Sequence, residues 1–203
     1  MDFNRRPDEE TILRTSAAVA ERGIEVIAAA DRREALDAVI GLIPKGVEVM
    51  NGSSTTLREI GFLDYLKEHG DDYENMHVSI LSETDKQKQA GLRRRSVAAE
   101  YFLGSVNAIA ETGELFACDA SGSRVGAYPF AAGRLLLVSG VNKIVPTWQD
   151  AIARLREHAY PLENERALKA YGAPSTVGKV VIMEREIFPG RTTLILVKEK
   201  LGF

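Results

Sequence analysis

The sequence predicts an α/β domain: a mostly parallel sheet with helices on both faces. Three observations predict it. Helical apolar spacings alternate with short apolar runs along most of the 203 residues, the pattern of strand–helix–strand crossovers. The run Arg134 to Ser139 is apolar with little alternation, as a central strand buried on both faces of a parallel sheet requires. No linker or low-complexity stretch divides the chain, so residues 1–203 read as one domain.

Taken in order, Pro7-Asp8-Glu9-Glu10 opens a helix to about Arg22, because proline and acids suit a first turn and Gly23 suits the stop. Ile24 to Ala29 reads as a strand. Leu36, Val39, Ile40 and Ile43 fall at i, i+3, i+4 and i+7, an amphipathic helix. Pro44-Lys45-Gly46 is a turn and Val47 to Met50 a second strand. Thr56-Leu57-Arg58-Glu59 has the spacing of a capping box, and Leu57, Ile60, Leu63 and Leu66 supply the buried side of the helix that follows. Residues 70–83 fit no single pattern. Thr84 to Ala99 reads as a polar helix, Glu100 to Ser105 and Glu114 to Cys118 as strands, and Thr147-Trp148-Gln149-Asp150 as the start of a helix ending near Pro161. Lys179 to Glu184 and Thr192 to Val197, with Pro189-Gly190 between them, read as a C-terminal β-hairpin.

Composition narrows the function. With 45% apolar residues the chain can bury a full core without disulfides or metals. Lys plus Arg is 26 and Asp plus Glu is 29, a net charge of −3, which argues against a dedicated nucleic-acid binder. Arg93-Arg94-Arg95 is either a solvated helix face or an anion contact. Cys118 is the single cysteine, which excludes an intrachain disulfide or a cysteine-ligated iron–sulfur site and fits a cytoplasmic protein. No apolar signal core opens the chain, and no run approaches the roughly 18 apolar residues of a spanning helix. His69, His77 and His158 lack metal-ligand spacing. No cofactor motif is present, so no cofactor is expected.

Four constellations remain, clustered at strand ends, where open α/β sheets form their ligand crevice. The turn Asn51-Gly52-Ser53-Ser54-Thr55-Thr56 joins a strand to a helix; it either cradles an anion or simply caps the helix. Glu111-Thr112-Gly113 offers either a nucleophilic or basic carboxylate or a solvated turn. Asp119, Gly122, Ser123 and Arg124 form either an anion clamp or a loop with an internal ion pair. The unit Val106-Asn107-Ala108-Ile109 recurs as Val141-Asn142-Lys143-Ile144 after Gly140. Asn107 and Asn142 suit loop bracing or ligand contact, and Lys143 is the stronger ligand contact, as a point charge.

The segments Gly52 to Gly61, Ser105 to Leu115, Gly122 to Val125 and Gly140 to Val145 together resemble the LUD family, the lactate-utilisation (LutC/YkgG-like) proteins, in order over nearly the whole chain. The resemblance implies a Rossmann-like α/β fold akin to the sugar-phosphate isomerase and coenzyme A transferase superfamily, and a bacterial setting of L-lactate oxidation to pyruvate beside iron–sulfur subunits. Glu111-Thr112-Gly113 is similar to the turn that carries the acyl-accepting glutamate of coenzyme A transferases. The cysteine cluster that some LUD proteins carry is missing from Leu162 to Val177. Three functions follow: a non-redox accessory subunit or small-anion-binding component, which predicts an exposed apolar patch; an enzyme on a coenzyme A or sugar-phosphate ligand, which requires Glu111 to share a pocket with Gly52 to Thr55 and Arg124; or a small-molecule sensor. The ligand is a small carboxylate or phosphate in each case, and the apolar content suits a homodimer.

Overall fold

The computed structural model describes residues 2–203. The chain runs through α1 (Glu9–Glu21), β1 (Glu25–Ala29), α2 (Arg32–Leu42), β2 (Glu48–Asn51), α3 (Thr55–Glu59), α4 (Phe62–Glu68), β3 (Glu74–Asn75), α5 (Met76–Ser82), α6 (Lys86–Arg95) and β4 (Tyr101–Gly104). It continues through β5 (Ala108–Ala110), β6 (Leu115–Asp119), β7 (Arg134–Gly140), β8 (Ile144–Val145), α7 (Trp148–Arg154), α8 (Tyr160–Tyr171), β9 (Lys179–Met183) and β10 (Thr192–Val197). Six strands form one sheet in the order β1-β10-β7-β4-β2-β3, every neighbouring pair parallel.

Side chains of successive strand residues point to opposite faces, and the core divides accordingly. Phe102, Leu135, Leu137, Leu194 and Leu196 pack on one face with Ile12 and Val19 of α1. Leu103, Leu136, Val138, Ile195 and Val197 pack on the other with Ala35, Val39, Leu57, Ile60 and Phe62 of α2 to α4. The parallel sheet expected from Arg134 to Ser139 is therefore present, and β7 lies inside it, flanked by β10 and β4.

The first face is shared between α1 and a second sheet, of order β8-β5-β6-β9, which contributes Ile109, Leu115, Ala117, Ile144 and Met183 to the same core. Its other face buries Ala108, Ala110, Phe116 and Val145 against Ala151 of α7. This sheet grows from two excursions, one after β4 and one after β7. They are the two copies of the Val-Asn-x-Ile unit, and β5 and β8 pair in parallel with Ile109 opposite Ile144.

The expected C-terminal hairpin is a correction. β9 pairs antiparallel with β6 in the second sheet, whereas β10 lies between β1 and β7. All six residues of β10 are buried, so it needs a neighbour on each side, and the segment between the strands carries it from one sheet to the other. Three smaller expectations also change. The capping side chain of α3 is Ser54, which accepts from the Leu57 N–H at 3.2 Å, and Glu59 instead accepts from the Gly202 N–H at 2.6 Å. The helix read through Leu66 breaks at Gly61, whose φ of +83° is a left-handed turn that glycine adopts readily. Pro161 does not end a helix: a π-helical turn over Leu155–Ala159 joins α7 to α8. Such a bulge absorbs the missing N–H and ring clash of a helical proline.

Candidate functional site

Because β2, β4 and β7 are parallel and β4 lies between the other two, their carboxyl ends share one edge, and the polar residues that follow them meet there. A cleft of about 460 Å³ opens at this edge, reached by Asn51 to Thr56 after β2, Ser105 to Asn107 after β4 and Lys143 after β7. Its walls come from His77, Ile80 and Leu81 of α5, Gln89 and Arg93 of α6, and Tyr160, Glu163 and Tyr171 of α8.

Lys143 is the central group. It is 2% exposed, and its Nζ lies 3.0 Å from Thr56 Oγ1, 3.0 Å from Ser105 Oγ and 3.0 Å from the Val106 carbonyl. Among the described residues no ion pair includes it. Burial, and then the nearby Arg154 and Arg124 charges, hold its amine well below the usual lysine value, with Glu59 opposing.

Arg124 lies beside it. Its Nη1 donates to the Ser105 carbonyl at 3.1 Å and its Nη2 to the Cys118 carbonyl. Gly52 makes room for it: a β-carbon at position 52 would lie 2.4 Å from Arg124 Cδ. Tyr128 braces the floor, donating to the Ser105 carbonyl at 2.9 Å and accepting from the Ser105 N–H at 3.2 Å. Behind the floor Arg154 is fully buried. Its Nη1 bonds the Asn107 and Phe203 carbonyls, while Nε and Nη2 have no partner among the described residues. Burial lowers its pKa to about 10.

The two side-chain carboxylates in the lining are already engaged. Asp119 Oδ2 accepts from the Arg124 backbone N–H at 2.7 Å, a turn cap where one of the two sequence readings has an Asp119–Arg124 ion pair. Glu163 takes a bidentate pair from Arg166, at 2.7 Å on both arms. Arg93 lines the cleft, whereas Arg95 of the same run pairs with Glu48. Arg93 and Arg124 thus line the cleft without an ion-pair partner among the described residues. Cys118 also lines it, with its thiol pushed up by desolvation, away from the thiolate a nucleophile needs.

The cleft collects Gly52, Ser53, Ser54, Thr55, Thr56, Asn107, Asp119, Ser123, Arg124 and Lys143 from the residues expected at the site. The others lie elsewhere. Glu111 pairs with Arg14 at 2.6 Å, and Thr112 with Gly113 forms the turn between β5 and β6, where Gly113 faces the Ala18 backbone of α1. Neither Glu111 nor its turn lines the cleft, so the convergence required of a Glu111 nucleophile is not met. Gly122 abuts the Lys179 side chain, and Gly140 fits against Glu199 and Leu201. The two asparagines are braces: Asn107 Oδ1 accepts from the Cys118 N–H at 2.8 Å and Asn142 Oδ1 from the Leu201 N–H at 3.0 Å.

The sequence model of the LUD domain matches residues 12–197. The chain belongs to the LUD domain family. At the level of the family this is a lactate-utilisation-related protein. Among solved structures, a DUF162 family protein from Deinococcus radiodurans is similar at a TM-score of 0.55 and 13% identity, over 93% of this chain and 96% of that one. That likeness shows the shared fold. Ribose 5-phosphate isomerase from Plasmodium falciparum matches at a TM-score of 0.35 and 12% identity, over 79% of each chain. No curated protein matches the sequence.

Sequence reasoning missed several groups of this LUD site. Ser105 lines its floor and Tyr128 braces it from beneath, and Ser105 was detectable as the polar residue ending an apolar strand. The α5 wall lies in residues 70–83, where no periodicity stands out, and nothing in the sequence ties Tyr160 or Glu163 to the same edge.

Proposed function

We propose that this LUD protein binds a small carboxylate or phosphate in the cleft and serves as the non-redox, anion-binding component of bacterial L-lactate oxidation to pyruvate in the cytoplasm. One observation carries the binding half: Lys143 is buried on the cleft with no carboxylate partner among the described residues, beside Arg124, while both lining side-chain carboxylates are occupied. Arg124 stays charged and makes no ion pair among the described residues, so an anionic ligand would complete the site.

The family setting supports the accessory role, with iron–sulfur subunits as partners. An exposed apolar patch suited to such docking is present: Phe130 is 74% and Ile187 73% exposed, and the Phe130 and Phe188 rings lie 6.4 Å apart. Among the described residues no helix is long and apolar enough to cross a membrane.

Thermal unfolding with L-lactate, pyruvate, inorganic phosphate and coenzyme A tests the binding. A true ligand at 100 times its dissociation constant stabilises the fold by about 2.7 kcal/mol, and Arg124→Ala removes that gain. No stabilisation by any of these anions in a well-folded protein would overturn the reading. Co-purification with iron–sulfur subunits, weakened by Phe130→Ser, tests the partner half.

A further inference from the structure

Resting on the anion-binding reading, we infer that Lys143 is a nucleophilic amine that condenses with the carbonyl of a 2-oxo carboxylate, whose carboxylate Arg124 holds.

The hydrogen bonds around Nζ suit an uncharged amine. Such an amine has two N–H donors and one lone pair. Its three neighbours are the Val106 carbonyl, which can only accept, and the Thr56 and Ser105 hydroxyls, which can do either. Donation to the carbonyl and one hydroxyl, with acceptance from the other, satisfies every group. Among the described residues no carboxylate pairs with the amine, and burial with two cations nearby outweighs the opposing Glu59 and favours the neutral form. Nucleophilic lysines are made in this way, by desolvation beside another cation.

The clamp is one residue away. Arg124 Nη1 binds the Ser105 carbonyl at 3.1 Å while Lys143 Nζ meets the Ser105 hydroxyl at 3.0 Å. A guanidinium carries five N–H donors, so Arg124 keeps some for a ligand. An anion-binding group and a nucleophile this close select a ligand whose carboxylate and electrophilic carbon are adjacent, which describes a 2-oxo acid. Gly202 seals the amine on one side, since a β-carbon there would lie 2.2 Å from Thr56 Oγ1 and 3.0 Å from Nζ. The approach is from the cleft. Ile80, Leu81 and Tyr171 in the lining leave an apolar path for the tail of a larger oxo acid.

The step balances without a redox partner. The Nζ lone pair forms a C–N bond to the carbonyl carbon as the C=O π pair moves to oxygen. The two amine protons leave with that oxygen as water, relayed by the Thr56 and Ser105 hydroxyls. A C=N bond remains, and one proton from solvent makes it an iminium.

The experiment is reductive trapping. The full-length protein is incubated with pyruvate and cyanoborohydride near neutral pH, then analysed by intact mass and peptide mapping. The expected result is one carboxyethyl group per chain, on Lys143, saturable in pyruvate, absent from Lys143→Met and strongly reduced in Arg124→Ala, with circular dichroism showing both variants folded. Thermal shifts on the same samples without reductant separate the two readings. Stabilisation by pyruvate with no adduct on Lys143 leaves the anion site standing and overturns the amine chemistry. Adducts spread over exposed lysines alone overturn it too. Neither stabilisation by any anion nor an adduct removes both.

Discussion

Replacing Lys143 with methionine should reverse the usual consequence of deleting a polar group. The side chain keeps similar length, and the Thr56 and Ser105 hydroxyls already lie 3.2 Å apart, with Ser105 Oγ 3.3 Å from the Val106 carbonyl, so they can pair without the amine. Exchanging a buried amine for an apolar group of similar volume removes its desolvation cost while the two hydroxyls keep partners. The pH dependence carries the sharper test. The folded-state pKa of Lys143 is depressed, while the unfolded value is about 10.4. Between the two, the unfolded chain binds one more proton than the folded one, so stability rises with pH. The penalty is fully present below the folded value and gone above about 10.4, and the maximal slope is about 1.36 kcal/mol per pH unit. Urea unfolding of both proteins from about pH 7 to about pH 10 measures it, because other titrations cancel in the difference. Wild type should gain on Lys143→Met as pH rises. A flat difference, or a variant weaker by more than about 2 kcal/mol at neutral pH, would show a charged structural strut in place of a depressed amine.

Glu111→Gln should leave anion binding unchanged and cost less than about 1 kcal/mol, because its partner Arg14 has a side chain 53% exposed; calorimetric titration and urea unfolding check both. Arg191→Met should cost about 3–5 kcal/mol in urea unfolding, since it strips a buried partner at 2.7 Å from Glu186 and three carbonyl bonds around Ala127 to Ala132. Burial alone would raise Glu186, but bonds from the Phe188 N–H, Thr192 and Arg191 outweigh it and lower its pKa. Its contribution is therefore present above about pH 4.3 and lost as pH falls through the folded value, and Arg191→Met should blunt that acid sensitivity. Gly113→Ala should lower the thermal midpoint, because φ is +98° and the new carbon would sit 2.6 Å from the Ala18 carbonyl carbon.

The legible part of this fold was what strand periodicity and burial dictate. Leu135 to Val138 announce a strand buried on both faces, and the small polar residues after Met50 mark a strand-to-helix turn. Spacing cannot say which strands are neighbours. Thr192 to Val197 looked like half of a hairpin because a Pro-Gly turn precedes it, yet only a place between β1 and β7 buries all six residues. The same limit misplaced Glu111. Its turn is near Ser105 in sequence, but β5 intervenes and carries it to the α1 side. Arg124 and Lys143 were legible because cations beside glycine and strand ends have few structural reasons to be there. Their meeting at Ser105 was not, since it depends on β4 and β7 being adjacent.

The cleft joins parts of very different local stability. Lys143, Thr56 and Ser105 are buried among the strand ends, whereas α6 has no buried residue and α8 buries only Ala167. Segments with few buried contacts open without global unfolding. Native-state hydrogen exchange should therefore resolve two tiers, with amides of α6 and α8 exchanging through local openings and those of β4 and β7 only when the whole molecule unfolds. A ligand could then enter and leave by the fraying of one wall while the amine stays seated, and the wall residues could drift over generations to suit new ligands with little effect on folding.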